Sequence, residues 1–230
     1  LPVLDALLDQ TSIRTIVCRQ EGGASMMADA YGKLTHHPGI CFVTRGPGAT
    51  NAAAGVHVAQ QDSTPLILFV GQVDRSMAGR EAFQEVDIRS MFGALAKRVE
   101  QIDDARQIPE IVSRAFHTAV NGRPGPIVIS LPEDMLSDAV EVSDVKPYQT
   151  VEPSLGDLEV KTFKDLLSSA KRPLIIAGGR GWLPESRKAF HRFSESWNLP
   201  VAAAFRYQDC FNNDNEQYFL FLDMIGQHFD

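Results

Sequence analysis

Two short segments of the sequence combine residue types that could bind a ligand and transfer a proton. Residues 45–51 are RGPGATN, in which Gly46 and Gly48 leave no side chain between backbone and ligand and Pro47 stiffens the turn. Glu21 opens the segment EGGASMMADAYG and supplies a carboxylate. Each segment also has an ordinary interpretation, as a strand-to-helix turn or as a first-turn glutamate that complements the helix dipole.

The elements that must position these residues alternate between strand and helix. Short apolar or β-branched runs predict strands at 13–19, 39–44, 65–73, 97–102 and 126–131. Helical spacing of apolar residues predicts helices at 21–35, 51–61, 87–95 and 108–120. Thr50 or Asn51 is the predicted N-cap of the second of these helices. We therefore predict an α/β fold with an open, mostly parallel sheet flanked by helices, and a ligand site at its carboxyl edge.

The alternation stops after the fifth strand and resumes later in the chain. Residues 137–156 are acidic and lack apolar periodicity, which is typical of an interdomain linker. We predict a first domain at 1–136, incomplete at its start, and part of a second α/β domain at 157–230. The second domain shows helices at 158–170 and 184–197 and strands at 173–177 and 200–205. Because the first helix has no strand before it and the second domain shows only two strands, we expect both ends of the chain to be cut.

Composition excludes several classes of function. The net charge of −7 leaves no basic excess for nucleic acid, and no apolar run reaches the roughly 18 residues that cross a membrane. Of the three cysteines, none forms a CxxC pair that would suggest zinc, and we expect Cys18 and Cys41 to be buried. These features favour a cytoplasmic protein.

Taken together, the motifs resemble one family. The segments EGGASMMADAYGKLT, FVTRGPGATNAAAGVHVAQQDSTPLILFVGQV and GREAFQEVDI are similar, in that order, to the pyrimidine-binding domain of thiamine-diphosphate-dependent enzymes of the acetolactate-synthase kind. The resemblance runs from about Thr15 to Leu136, and residues 157–230 resemble the start of the family's central domain more weakly. It implies lyase or carboligase (transferase) chemistry on 2-oxo acids.

The resemblance implies a role for Glu21 in activating the cofactor. It matches the glutamate that hydrogen-bonds N1′ of the aminopyrimidine ring. We expect a raised pKa for this carboxyl group, because the family's site is apolar.

Other residues match positions around the same site. Gly46, Pro47 and Gly48 match the loop that lies along the pyrimidine, and Asn51 matches the asparagine of that loop. Gln72 matches a glutamine near the pocket. Phe83 and Gln84 match residues that reach the reaction side of a neighbouring subunit's cofactor, although Phe83 could equally be a core aromatic.

The resemblance also implies what lies outside this sequence. The family binds diphosphate through Mg²⁺ at a Gly-Asp-Gly motif in a third domain, and this sequence has no such motif. Some members bind FAD in the central domain, for which Gly178 to Gly181 (GGRG) is only a weak indication. A second copy completes the family's active site, in a homodimer or homotetramer, so a lone fragment should be inactive.

Three residues depart from the acetolactate synthase pattern and keep alternatives open. Gln20, Gly22 and Arg45 stand where those synthases usually have histidine, glutamine and serine. A 2-oxo-acid decarboxylase of the same superfamily is therefore an alternative. A non-catalytic structural or regulatory relative is another, and a plain nucleotide-binding domain is a third.

Overall fold

A computed structural model of the protein describes residues 2–151, 153–179 and 182–222. Its contacts divide the chain into two compact units, Leu1–Val151 and Glu152–Asp230. The described residues between 138 and 156 form neither helix nor strand. The domain bounds that we predicted from the sequence, 1–136 and 157–230, remain predictions.

The first unit is built on a parallel sheet, which confirms the predicted fold class. Its strands are β1 (Gly39–Val43), β2 (Leu66–Gln72), β3 (Arg98–Gln101) and β4 (Pro126–Pro132). Their spatial order is β1-β2-β4-β3, and every neighbouring pair is parallel. The carboxyl ends of all four strands therefore lie along one edge of the sheet, where loops can converge on a ligand.

Helices cover both faces of this sheet. The described part of the unit contains α1 (Pro2–Asp9), α2 (Glu21–Thr35), α3 (Pro47–Asp62), α4 (Ile88–Phe92) and α5 (Ile108–Val120). Alternate residues of β2 face opposite ways, so Leu66 and Leu68 pack with α3 and Phe92, whereas Ile67 packs with α5. Both central strands, β2 and β4, are thus covered on both sides, which explains why their sequences are almost continuously apolar.

The second unit is a smaller α/β arrangement. It contains α6 (Asp157–Ser169), α7 (Pro184–Ser196) and three parallel strands, β5 (Ile175–Ala177), β6 (Val201–Ala204) and β7 (Tyr218–Leu222). Their order is β5-β6-β7. The expectation of only two strands is wrong, because the apolar run YFLFL pairs with β6 after an intervening 3₁₀ segment, Phe205–Cys210. Of the GGRG run, residues 180–181 lie outside the described residues.

Three local predictions for the first unit are wrong. Residues 13–19 form no strand, since Ile16 and Val17 are 56% and 91% exposed and no described strand pairs with them. Helix α3 begins at Pro47 with Gly46 as its N-cap, four residues before the predicted start, because Gly46 adopts φ +44° and proline suits the first helical position. Cys41 is buried as expected, but Cys18 lies in the unpaired segment and is only partly buried.

In the described residues, no helix is both long and apolar enough to span a membrane.

Candidate functional site at the carboxyl edge of the sheet

A hydrogen bond between Glu21 and Asn51 links the beginnings of two neighbouring helices, α2 and α3. Glu21 is the first residue of α2, and the Gln20 side chain caps that helix by accepting a hydrogen bond from the Gly23 amide at 2.7 Å. Asn51 lies in the first turns of α3 and donates from Nδ2 to Glu21 Oε2 at 3.0 Å. The predicted carboxylate and the predicted asparagine are therefore direct partners.

The pKa of Glu21 is shifted in the direction opposite to our expectation. It lies below the usual range for a glutamate, first because the Asn51 side chain donates to the carboxylate and second because the backbone N–H of Glu21 also donates. Burial acts the other way but has the smallest effect. The expectation of a raised pKa is wrong for this chain, because the carboxylate is partly open to solvent and is stabilised by donors.

The two helices can approach closely because small residues line their contact. A Cβ at Gly22 would lie 3.0 Å from the Asn51 carbonyl oxygen, and one at Gly55 would lie 2.6 Å from Ser25 Cβ. A side chain at Gly55 would force the helices apart, and one at Gly22 would be tight against α3. The close approach of α3 therefore explains why a glycine, Gly22, occupies this position, where acetolactate synthases usually have glutamine.

The glycine turn lies between β1 and α3 and contacts a second loop. Gly46 has φ +44°, a conformation that glycine adopts far more easily than other residues. A Cβ at Gly46 would lie 2.6 Å from the carbonyl oxygen of Gln84, and one at Gly48 would lie 2.8 Å from Thr44 Cγ2. Both glycines of the GPG motif are thus required by close approaches, and the first of them contacts the predicted AFQE segment.

Gln72 ends β2 and anchors the loop that follows, residues 73–87, which we call the β2–α4 loop. The residue is buried, its Nε2 donates to the Val86 carbonyl at 2.8 Å, and its Oε1 accepts from the Val73 amide at 2.9 Å. Both polar ends of the buried amide are therefore satisfied by the loop. The structure gives Gln72 an anchoring contact at this edge of the sheet.

Phe83 and Gln84 lie at the exposed part of the β2–α4 loop. The Phe83 side chain is 78% exposed, so its interpretation as a core aromatic is wrong for this chain. Gln84 has φ +63°, and Glu81 in the same loop has φ +54°. Such left-handed backbone costs on the order of 1–3 kcal/mol per non-glycine residue and persists only where surrounding contacts hold it.

Two sets of contacts hold this strained loop. Within it, the Glu85 carboxylate accepts from the Gly79 amide at 2.6 Å and from the Ala82 amide at 3.0 Å, and these bonds lower its pKa. From outside, Arg45 Nε donates to the Phe83 carbonyl at 3.0 Å. In the sequence, Arg45 stands out only because it replaces the serine usual in acetolactate synthases. Its contact with the Phe83 carbonyl, 38 positions away, could not be predicted from the neighbouring residues.

The structure thus gathers the predicted residues around the start of α3. Glu21 and Asn51 meet on one side, and the glycine turn meets Gln84 on the other, with Gln72 behind the loop. Among the described residues, His, Cys, Asp and Glu side chains form no group of three or more that could hold a metal ion. The arrangement offers an ionised carboxylate beside side-chain-free backbone, which suits a flat ring with a nitrogen that carries or accepts a proton.

Comparisons with known proteins define the class of this chain. The family described as "Thiamine pyrophosphate enzyme, N-terminal TPP binding domain" matches residues 1–91, and "Thiamine pyrophosphate enzyme, central domain" matches residues 160–229. The chain therefore belongs to the thiamine pyrophosphate enzymes.

Its relatives within that family include large subunits of acetolactate synthase. The chain is 34% identical to the acetolactate synthase large subunit of Porphyra purpurea and 36% identical to the probable acetolactate synthase large subunit of Methanococcus aeolicus. It is 32% identical to the acetolactate synthase isozyme 2 large subunit of Escherichia coli K12. Each match covers 99% of this chain but only 39–41% of the relative, so the chain spans about two fifths of their length.

Proposed function

We propose that this chain provides the pyrimidine-binding half-site of a thiamine-diphosphate-dependent enzyme, and that the whole protein is a carboligase acting on 2-oxo acids in the manner of acetolactate synthase. Residues 1–136 would form the pyrimidine-binding domain and residues 157–230 part of the central domain. The contact between Glu21 and Asn51, 3.0 Å long at the start of two helices, is the observation that carries the proposal.

The residues of this half-site fit an aminopyrimidine ring. Gly46 and Gly48 keep the turn free of side chains, so the backbone can lie against a flat ring. A glutamate is ordinarily ionised near neutral pH, and the lowered pKa of Glu21 favours that form further, so its carboxylate can accept a hydrogen bond from a protonated ring nitrogen. Covering Glu21 with the ring would remove it from water and shift its pKa upward, toward the value at which it can hold that proton.

Thiamine diphosphate, when bound, supplies the nucleophilic carbon and the electron sink for chemistry on a 2-oxo acid. The contribution of this chain is to place one carboxylate at the pyrimidine and to fix its orientation. Asn51 provides the orientation, since its amide holds Oε2 of Glu21. Phe83 and Gln84 would act at the reaction side of the cofactor held by a second copy.

A second copy is part of the proposal for a physical reason. Besides Phe83, the outward face of α2 exposes a row of apolar side chains at helical spacing, Met26, Met27, Tyr31 and Leu34. A continuous apolar face of this kind is typical of an association surface. We propose a homodimer or homotetramer, with Mg²⁺ and the diphosphate held by residues outside this chain.

The experiment is a comparison of Glu21→Gln with the wild type in the full-length protein, with thiamine diphosphate and Mg²⁺ present. Carbon dioxide release from pyruvate and its homologues is measured. We expect a loss of about 10²–10⁴-fold, the usual contribution of a proton-transfer group. Glu110→Gln is the matched control, because Glu110 also lies in the first turn of a helix, but it is exposed and its helix, α5, packs on the face of the sheet opposite to α3.

The outcomes separate the alternatives. Retention of more than about a tenth of the wild-type rate in Glu21→Gln would refute the role of Glu21. Acetaldehyde in place of acetolactate would indicate a decarboxylase, and no turnover of any 2-oxo acid by the wild type would indicate a non-catalytic relative. FAD is the second cofactor that the resemblance allows, and flavin fluorescence of the purified full-length protein tests for it.

A further inference from the structure

Arg45 connects the ends of three adjacent strands. It lies two residues after β1, and its Nη1 donates to Glu133 Oε2, directly after β4, at 2.9 Å. The same nitrogen lies 3.4 Å from the carbonyl oxygen of Gln72, the last residue of β2. Because β1, β2 and β4 are neighbours in the sheet, one guanidinium reaches all three carboxyl ends.

Its remaining contact is with the strained part of the β2–α4 loop. Arg45 Nε donates to the carbonyl of Phe83, the residue immediately before Gln84 with its left-handed backbone. The Arg45 side chain is 21% exposed, whereas the Glu133 side chain is 57% exposed. A planar fork that donates in two directions can hold such a carbonyl in place, and a lysine ammonium cannot reproduce that geometry.

We infer that Arg45 is a positioning residue: it holds the β2–α4 loop against the glycine turn so that Phe83 and Gln84 are presented in one fixed conformation. This inference rests on the proposed function, since it assigns those two residues a place at the reaction side. The Gln72 amide fixes the end of the loop through Val86, and Arg45 fixes its exposed part through Phe83. Loss of the second contact leaves the part that carries both side chains held only from within the loop, by the bonds of Glu85 to the Gly79 and Ala82 amides.

The test uses the full-length protein with its cofactors and the variants Arg45→Ala and Arg45→Lys. We expect kcat to fall about 10–100-fold in both, because displacement of a positioned group by about 1 Å can cost on the order of 10². The KM for thiamine diphosphate should change less than about threefold, because Glu21 and Asn51 are untouched. Hydrogen exchange of amides 79–86 should be at least about tenfold faster in Arg45→Ala.

Two control variants separate positioning from general stability. Arg98→Ala removes an ion pair with Glu100 at the opposite end of the sheet and should leave both kcat and exchange of the loop unchanged. Glu133→Gln removes the exposed partner charge but keeps the two carbonyl contacts, so kcat should fall less than about threefold. If Arg45→Ala does not fold, Arg45→Lys provides the same comparison with less lost volume.

Each outcome decides a different point. Wild-type kcat in folded Arg45→Ala, or unchanged exchange in the loop of that variant, overturns the positioning role. Full rescue by lysine overturns the requirement for a fork. An inactive wild-type protein overturns the proposed function and the catalytic part of this inference, whereas the exchange measurement still decides whether Arg45 fixes the loop.

Discussion

Substitution of Gly55 by alanine is expected to separate α2 from α3. The new Cβ would lie 2.6 Å from Ser25 Cβ and 2.8 Å from the Ser25 carbonyl carbon. Because non-bonded carbons rest about 3.5–4.0 Å apart, the helices must move by roughly 1 Å. Overpacking costs typically 1–3 kcal/mol, and contact with backbone favours the upper end. Alanine regains about 1 kcal/mol of helix propensity, so the net loss in free energy of unfolding is about 2 kcal/mol.

Urea unfolding of the chain measures this loss. With an m-value of about 1–3 kcal/mol per molar urea, the midpoint should fall by roughly 1 M. The two tryptophans of the sequence, Trp182 and Trp197, both lie in the second unit, so far-UV circular dichroism must be recorded together with fluorescence. We expect the circular dichroism transition to shift and the fluorescence transition to shift less.

Gly23→Ala is the matched control for this experiment. Gly23 lies in α2, and a Cβ there would meet only Gln20 Oε1, at 3.9 Å. This variant should be as stable as the wild type or up to about 1 kcal/mol more stable. If Gly55→Ala proved equally stable, the close packing of the two helices would be refuted. The same movement of about 1 Å should also break the hydrogen bond between Glu21 and Asn51, because it is already 3.0 Å long.

Two further predictions concern titrating groups. Burial raises the pKa of the Cys41 thiol to about 11, so Cys41 should resist iodoacetamide at pH 8 while the partly buried Cys18 reacts. Peptide mass spectrometry measures the labelling of each cysteine, and equal labelling of the two would contradict this prediction. Asn51→Ala should raise the pKa of Glu21, because it removes the largest cause of its depression, so the carboxylate should take up its proton at a higher pH than in the wild type. Carboxyl ¹³C NMR measures the pKa of Glu21 in each variant, with Asn121→Ala as the control. An unchanged pKa of Glu21 in Asn51→Ala would refute the hydrogen bond from Asn51 as the cause of the depression.

Elements with strong local signals could be predicted from the sequence. Helices α2 and α5 have the predicted bounds, because apolar periodicity and end signals agree in both. The sequence predicts too late a start for α3, because Thr and Asn are usual N-cap residues, whereas Gly46 with its positive φ lets Pro47 begin the helix. A strand was wrongly predicted at 13–19 because β-branched composition cannot show whether a pairing partner exists.

The site could be predicted as a set of residues but not as a set of contacts. The motif pattern singled out Glu21 and Asn51, and the structure shows that they are hydrogen-bonded. It could not give the direction of the Glu21 pKa shift, which depends on a donor 30 positions away. The contacts of Arg45 with Phe83 and Gln72 could not be predicted from the sequence either. In both, Arg45 donates to a backbone carbonyl, a group that every residue type possesses.

The strand order has a consequence for how the chain is made. Strand β4 lies between β2 and β3 but is the last of the four to be synthesised. Until residues 126–132 have left the ribosome, one edge of β2 has no partner, and an apolar unpaired edge invites aggregation. Glu133 follows β4 directly, so the contacts of Arg45 can be completed only at that stage. A growing chain therefore displays Glu21 and the glycine turn well before Arg45 can pair with Glu133.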